Sequence, residues 1–152
     1  MISKVNSITV NGLDSDLIEV EVDINNWLPS FTIVWLPDQW VQESKERLRS
    51  ALKSSWNKLP MTRITVNLAP ANIRKSGPSF DFPIAIWILL HEWFIEETLI
   101  KDSIFIWELS LDGRLRRVES VLPATIWAKA KWFKRIFVPK ANSKEASIIP
   151  WI

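Results

Sequence analysis

The sequence has no cysteine, a single histidine and only three glycines in 152 residues. Each scarcity excludes something. Without cysteine there is no disulfide framework and no thiolate metal site. With His91 alone there is no multi-histidine metal centre, and no Ser-His-Asp arrangement has a spare base beside it. His91 falls at the end of an apolar helical run, where a partly exposed helix-end histidine is the expected role. No apolar run approaches the roughly 18 residues of a membrane span. The N-terminus, MISKVNSITVNG, alternates like a strand and lacks the apolar block of a signal peptide. These absences point to a cytoplasmic protein. The length suits one domain, residues 1–152, with a real core.

Glycine is the most informative shortage. Ordinary usage of about 7% would give roughly ten, and what the chain carries instead is ten tryptophans. Their placement is systematic. Trp56, Trp93 and Trp132 each follow a predicted helix, at the position where a chain turns left-handed and favours glycine. Trp27 follows Asn26 in a turn, Trp35 precedes Leu36-Pro37, and Trp151 follows Pro150. A bulky side chain in the left-handed region costs on the order of 1 kcal/mol or more. The pattern reads as glycine positions. Some bacterial lineages decode UGA as glycine, and a gene from one of them translated with UGA as tryptophan would give this composition. Restoring all ten yields 13 glycines. The alternative is a chain rich in tryptophan as written, whose indoles strain the helix ends or swing outward.

The net charge of +2 hides an asymmetry. Residues 1–112 hold 10 Lys+Arg against 15 Asp+Glu, whereas residues 113–144 hold 9 against 1. The basic end suits phosphates or an acidic partner, or is simply a solvated face. In the acidic part, Glu19, Glu21 and Asp23 lie on one face of an alternating strand, LIEVEVDI, which is the expected solvent face rather than a metal cluster.

Hydrophobic periodicity orders the elements. Ile2–Val10 and Leu17–Ile24 read as strands around an Asn11-Gly12 turn. Ser30–Leu36 is a third strand, and Pro37-Asp38 opens a helix with Asp38 as N-cap. The apolar stripe of that helix is Val41, Leu48, Ala51, Leu52 and Ser55. Thr62–Leu68 is a strand, and a helix over about Asp81–Glu92 carries Pro83 in its first turn, where the missing N–H has no partner anyway. Ser103–Leu111 and Arg114–Val118 form strands around Asp112-Gly113. Pro123–Lys131 is a helix with Pro123 near its first position, Arg135–Val138 a last strand, and Lys144–Ile148 a final helical turn. This mixed order predicts an α+β sandwich, helices packed on a sheet.

The densest signal runs from Arg63 to Ile86, RITVNLAPANIRKSGPSFDFPIAI: a strand, a basic loop, a Gly77-Pro78-Ser79 turn and a helix. Together with EVEVDINNWLPSFTIVWLPD (Glu19–Asp38), VQESKERLRSAL (Val41–Leu52), ELSLDGRLRRVESVLP (Glu108–Pro123) and FVPKANSKEA (Phe137–Ala146), it resembles the N-terminal domain of the magnesium-chelatase-like ComM/YifB family of AAA+ ATPases. The resemblance covers nearly the whole chain. It implies a Lon-protease-domain-like fold, a two-layer α/β sandwich shared with the second domain of ribosomal small-subunit protein five. It also implies a parent protein that is a hexameric motor using ATP and Mg2+, with family members acting as branch-migration helicases on DNA in recombination and transformation. The partners expected on that basis are the chain's own AAA+ module, neighbouring subunits and DNA. No G-x-x-x-x-G-K-[ST] phosphate loop is present, even with glycine restored at the tryptophans, so the nucleotide site is expected elsewhere, in a continuation beyond Ile152. No cofactor or metal is expected in this chain.

The resemblance raises one catalytic possibility, because Gly77-Pro78-Ser79 is similar to the turn carrying Lon's nucleophile. Such a serine needs a lysine amine within hydrogen-bond reach. Counting back from Pro139, the position matching that lysine is Leu122, which can neither accept a proton nor orient a hydroxyl. Ser79 is therefore expected to be a vestigial nucleophile position, a helix-start residue. The candidates for DNA contact are Arg74, Lys75, Arg114, Arg116, Arg117, Lys129, Lys131, Lys134 and Arg135, through phosphate neutralisation with counterion release. If the tryptophans are real, Trp127 and Trp132 add a stacking platform among the lysines. A peptidase relative and a stand-alone nucleic-acid- or protein-binding module are the competing readings.

Overall fold

In the computed structural model, residues 4–11, 14–34, 36–73 and 80–150 are described. Eight strands and five helices alternate along them: β1 (Lys4–Asn11), β2 (Asp14–Asn25), β3 (Ser30–Ile33), α1 (Asp38–Ser54), β4 (Arg63–Ala69), α2 (Asp81–His91), α3 (Glu97–Ile100), β5 (Ser103–Phe105), β6 (Glu108–Leu109), β7 (Leu115–Arg116), α4 (Val121–Ala130), β8 (Arg135–Phe137) and α5 (Ser143–Ala146). Six strands form one mixed sheet in the order β3-β4-β2-β1-β5-β8, and β6 with β7 makes a separate hairpin. β1, β2 and β4 pair antiparallel, while β3, β5 and β8 join their neighbours in parallel. This is the expected α+β architecture.

Strand alternation builds two cores. Val5, Ile18, Val20, Val22, Ile64, Val66 and Leu68 point to one face and pack with Leu48 of α1 and Ile84 and Ile88 of α2. The opposite face is apolar only toward β5. There Ile8 and Ile104 meet Ala124 and Ala128 of α4, with Leu17 and Ile136 at the margin. Farther toward β4 that face turns polar. Lys4 Nζ lies 2.7 Å from Glu19 and 3.1 Å from Glu21, and Asn67 Nδ2 donates to Glu21 at 2.9 Å. The predicted solvent face is thus where it was expected, and two of its three carboxylates are engaged by a lysine.

Some boundaries differ from the sequence reading, each for a local reason. Asp38 lies inside α1 and Pro37 takes the N-cap position. Ser55 is the C-cap rather than a stripe residue, and its hydroxyl donates to the carbonyl of Ala51 at 3.1 Å. The single strand predicted over Ser103–Leu111 is split. β5 ends where its parallel partner β8 ends, with Ile106 N–H donating to Phe137 O at 3.1 Å, and the chain then leaves for the hairpin. At the hairpin tip Gly113 has φ +81, and a Cβ there would sit 3.0 Å from Ser55 Oγ and 3.2 Å from Ala51 O. The positive φ and this close approach to the end of α1 both favour glycine, and any larger residue would be strained there. α4 begins at Val121, two residues before Pro123, which still lies in the first turn. α3 has no periodic pattern long enough to read in the sequence.

Trp56, Trp93 and Trp132 have φ of 61, 63 and 63. The predicted left-handed helix ends are present at all three. Trp27 does not adopt that conformation, contrary to the Asn-Gly-type turn expected there. Trp35 and Trp151 lie outside the described residues.

Candidate functional site

The start of α2 is anchored by a buried polar group. Asp81 interrupts an otherwise apolar run and is 3% exposed. Its carboxylate accepts from Ser44 Oγ at 2.5 Å and pairs with the Arg47 guanidinium. Ser44 and Arg47 are three residues apart on α1, so one helical face presents both donors. Burial pushes the Asp81 carboxyl above its usual range, Arg47 and Ser44 pull it back, and Glu108 pushes it up further. A cavity of about 290 Å³ borders this trio. The arrangement clamps α1 to α2. Sequence inspection missed it, although a lone acid in FDFPIAI was the available signal.

Ser79, Arg74 and Lys75 lie outside the described residues. Leu122, the position that would carry a base, is half-buried in the first turn of α4. Its backbone N–H donates to Glu145 Oε1 at 3.0 Å. Asn142, 1% exposed, completes the support: its side chain accepts from Val118 N–H at 3.1 Å, donates to Val118 O at 2.8 Å and reaches Glu145 Oε2 at 3.1 Å. The start of α4, whose N–H groups would otherwise lack partners, is therefore met by a carboxylate from α5. A second cavity, about 480 Å³, lies before it, lined by Ser7, Thr9, Trp107, Glu108, Arg117 and Ser120 among others. Ser7 Oγ donates to Phe105 O at 3.0 Å. Among the described residues its lining contains no lysine, and its buried serine is committed to a backbone carbonyl.

The family described as subunit ChlI of Mg-chelatase matches residues 20–142. Competence protein ComM of Haemophilus influenzae is 43% identical over 138 residues, which is 91% of this chain and 27% of that protein. An uncharacterised protein of Mycobacterium tuberculosis is 38% identical over 146 residues, 96% of this chain and 29% of its own. YifB of Escherichia coli is 36% identical over 138 residues, again 91% and 27%. The chain belongs to the magnesium-chelatase-like ComM/YifB family. It spans less than a third of the length of these curated relatives.

Within this ComM/YifB chain, the predicted cations among the described residues fall into two groups. Arg114, Arg116 and Arg117 belong to the β6–β7 hairpin and the segment leaving it, off the C-terminal end of β5. Lys129, Lys131, Lys134 and Arg135 surround the end of α4 and the start of β8, at the opposite end of the parallel β5–β8 pair. Most have partners. Arg114 Nε lies 2.9 Å from Asp112, and Arg116 lies 3.6 Å from Glu108. Lys134 lies 3.1 Å from Asp102, and Lys129 Nζ donates to Pro150 O at 2.8 Å. Arg135 donates to the carbonyls of Thr98 and Lys101 at 2.7 and 2.8 Å, tying the end of α3 to β8. Lys131 Nζ sits 5.8 Å from the Trp127 ring. Exposed ion pairs of this kind are worth little and exchange readily for phosphate, whereas the Arg135 bonds are structural. Among the described residues no cluster of His, Asp or Glu has the grouping of a metal site, and no helix is long and apolar enough to cross a membrane.

Proposed function

We propose that this chain is the non-catalytic N-terminal domain of a ComM-like AAA+ ATPase, assisting ring assembly or DNA engagement by a branch-migration motor. The carrying observation is Leu122. The position where a Lon-like peptidase would need its amine holds an alkyl side chain, in a turn fixed by Asn142 and Glu145. On this reading the Gly77-Pro78-Ser79 segment between β4 and α2 has no base to serve its serine. ATP and Mg2+ belong, on this reading, to a motor module outside these residues.

The peptidase alternative is tested with a fluorophosphonate probe on the full chain. No serine is expected to label. Labelling that is lost in Ser79→Ala would overturn the non-catalytic assignment. DNA engagement is tested by titrating duplex DNA at two salt concentrations. Binding is expected to weaken with salt, and Lys129→Ala or Lys131→Ala should each reduce the log–log slope by about 1. Absent or salt-insensitive binding would leave ring assembly as the role.

A further inference from the structure

We infer that Trp56, Trp93 and Trp132 are glycine in the natural protein, the codon UGA being read as glycine in its source; the inference reaches the other tryptophans through the shared codon, not through their geometry. The observation that carries this is repeated at the ends of the three longest helices. At the end of α1, Trp56 N–H donates to Lys53 O at 3.2 Å and Asn57 N–H to Leu52 O at 2.9 Å. After α2, Trp93 donates to Leu90 O at 3.1 Å and Phe94 to Leu89 O at 2.9 Å. After α4, Trp132 donates to Lys129 O at 3.1 Å and Phe133 to Ala128 O at 3.1 Å. Each pair is the two-bond Schellman closure, with the tryptophan at the one residue that must be left-handed.

The side chains contribute nothing to offset that strain. Trp56, Trp93 and Trp132 are 98%, 92% and 88% exposed. Indole is the side chain least expected at such a position: it carries a Cβ into the left-handed region and leaves its large apolar surface in water. Elsewhere the described chain fills positive φ with Gly113, Asp102 and Ser120, that is, with glycine or a short polar residue. A further sign comes from the interior, where the buried Trp107 Nε1 has no hydrogen-bond partner among the described residues.

The inference bears on function. With glycine at Trp127 and Trp132 the basic end keeps only the half-buried Phe133 as an aromatic, and nucleic-acid contact there rests mainly on charge.

The test is the intact mass and near-ultraviolet spectrum of the protein purified from its own source cells. The sequence has no tyrosine, so loss of all ten tryptophans is expected to abolish the indole absorbance and lower the mass by ten indolylmethyl-for-hydrogen exchanges. A mass and absorbance matching ten tryptophans would overturn the inference. The conformational premise is checked separately in recombinant full-length chain. Glycine at positions 56, 93 and 132 should raise the folded-to-unfolded ratio over alanine by about tenfold per site. At Trp27, which is not left-handed, glycine should show no such advantage. Equal stability of the glycine and alanine variants at all three helix ends would also overturn it.

Discussion

At the scale of single residues, Asp81 is the side chain on which most depends. It is buried, charged in its fully bonded state, and shared by two helices through Ser44 and Arg47. Asp81→Ala leaves the guanidinium and hydroxyl without their acceptor and should cost about 3–5 kcal/mol in denaturant unfolding. Its pH dependence has a definite sign. Because the folded carboxyl is pushed above 3.8, the folded state holds its proton longer than the unfolded chain does. Stability contributed through this group is therefore present at low pH and is lost as pH rises through the raised value. Unfolding of Asp81→Asn beside the wild type should show the wild type losing ground over that interval. A difference of the opposite slope would mean that Arg47 outweighs burial.

At the scale of elements, the start of α4 rests on side chains far away in sequence. Asn142→Ala strips both Val118 backbone groups of their partners and should destabilise the chain by about 2–3 kcal/mol. Amide exchange at Val118 and Leu122 should accelerate before exchange elsewhere in α4. The clasp across β1, β2 and β4 responds to acid instead. Asn67 and Lys4 hold the Glu21 carboxyl below 4.5, so its stabilisation is complete above that value and fades as pH falls through the lowered one. Glu21→Gln should flatten that acid limb in a pH-unfolding profile. These two features mark what the sequence could and could not disclose. β1, β2, β4, α1 and α2 were legible because their periodicity is imposed by a core on one face. The three left-handed helix ends were legible from the tryptophan just past each helix. The break at Ile106 was not, because it depends on where β8 stops. Nor were the start of α4 and the Asp81 clamp, because each joins residues more than twenty positions apart and has no local pattern.

At the scale of the whole molecule, the two basic groups stand at opposite ends of the short β5–β8 pair, so each can be tested as a separate contact. If DNA is held by this chain, reversing charge at Lys129 and Lys131 should weaken it differently from reversing Arg114 and Arg116, and a filter-binding comparison of the two double variants would tell which end faces the duplex. Equal losses would favour a general electrostatic effect over a defined contact. The position of β8 has another consequence. Its three residues, Arg135–Phe137, cover the outer edge of β5, which itself pairs with β1 across almost a hundred residues of intervening chain. On the ribosome, β1 and β2 can zip as soon as they emerge, but the sheet cannot close until nearly the last of these segments is made. Until then the nascent chain presents an unprotected parallel edge beside an open apolar face, the kind of surface that chaperones bind and that seeds aggregation. A product released early, at any point before β8, would carry that edge permanently.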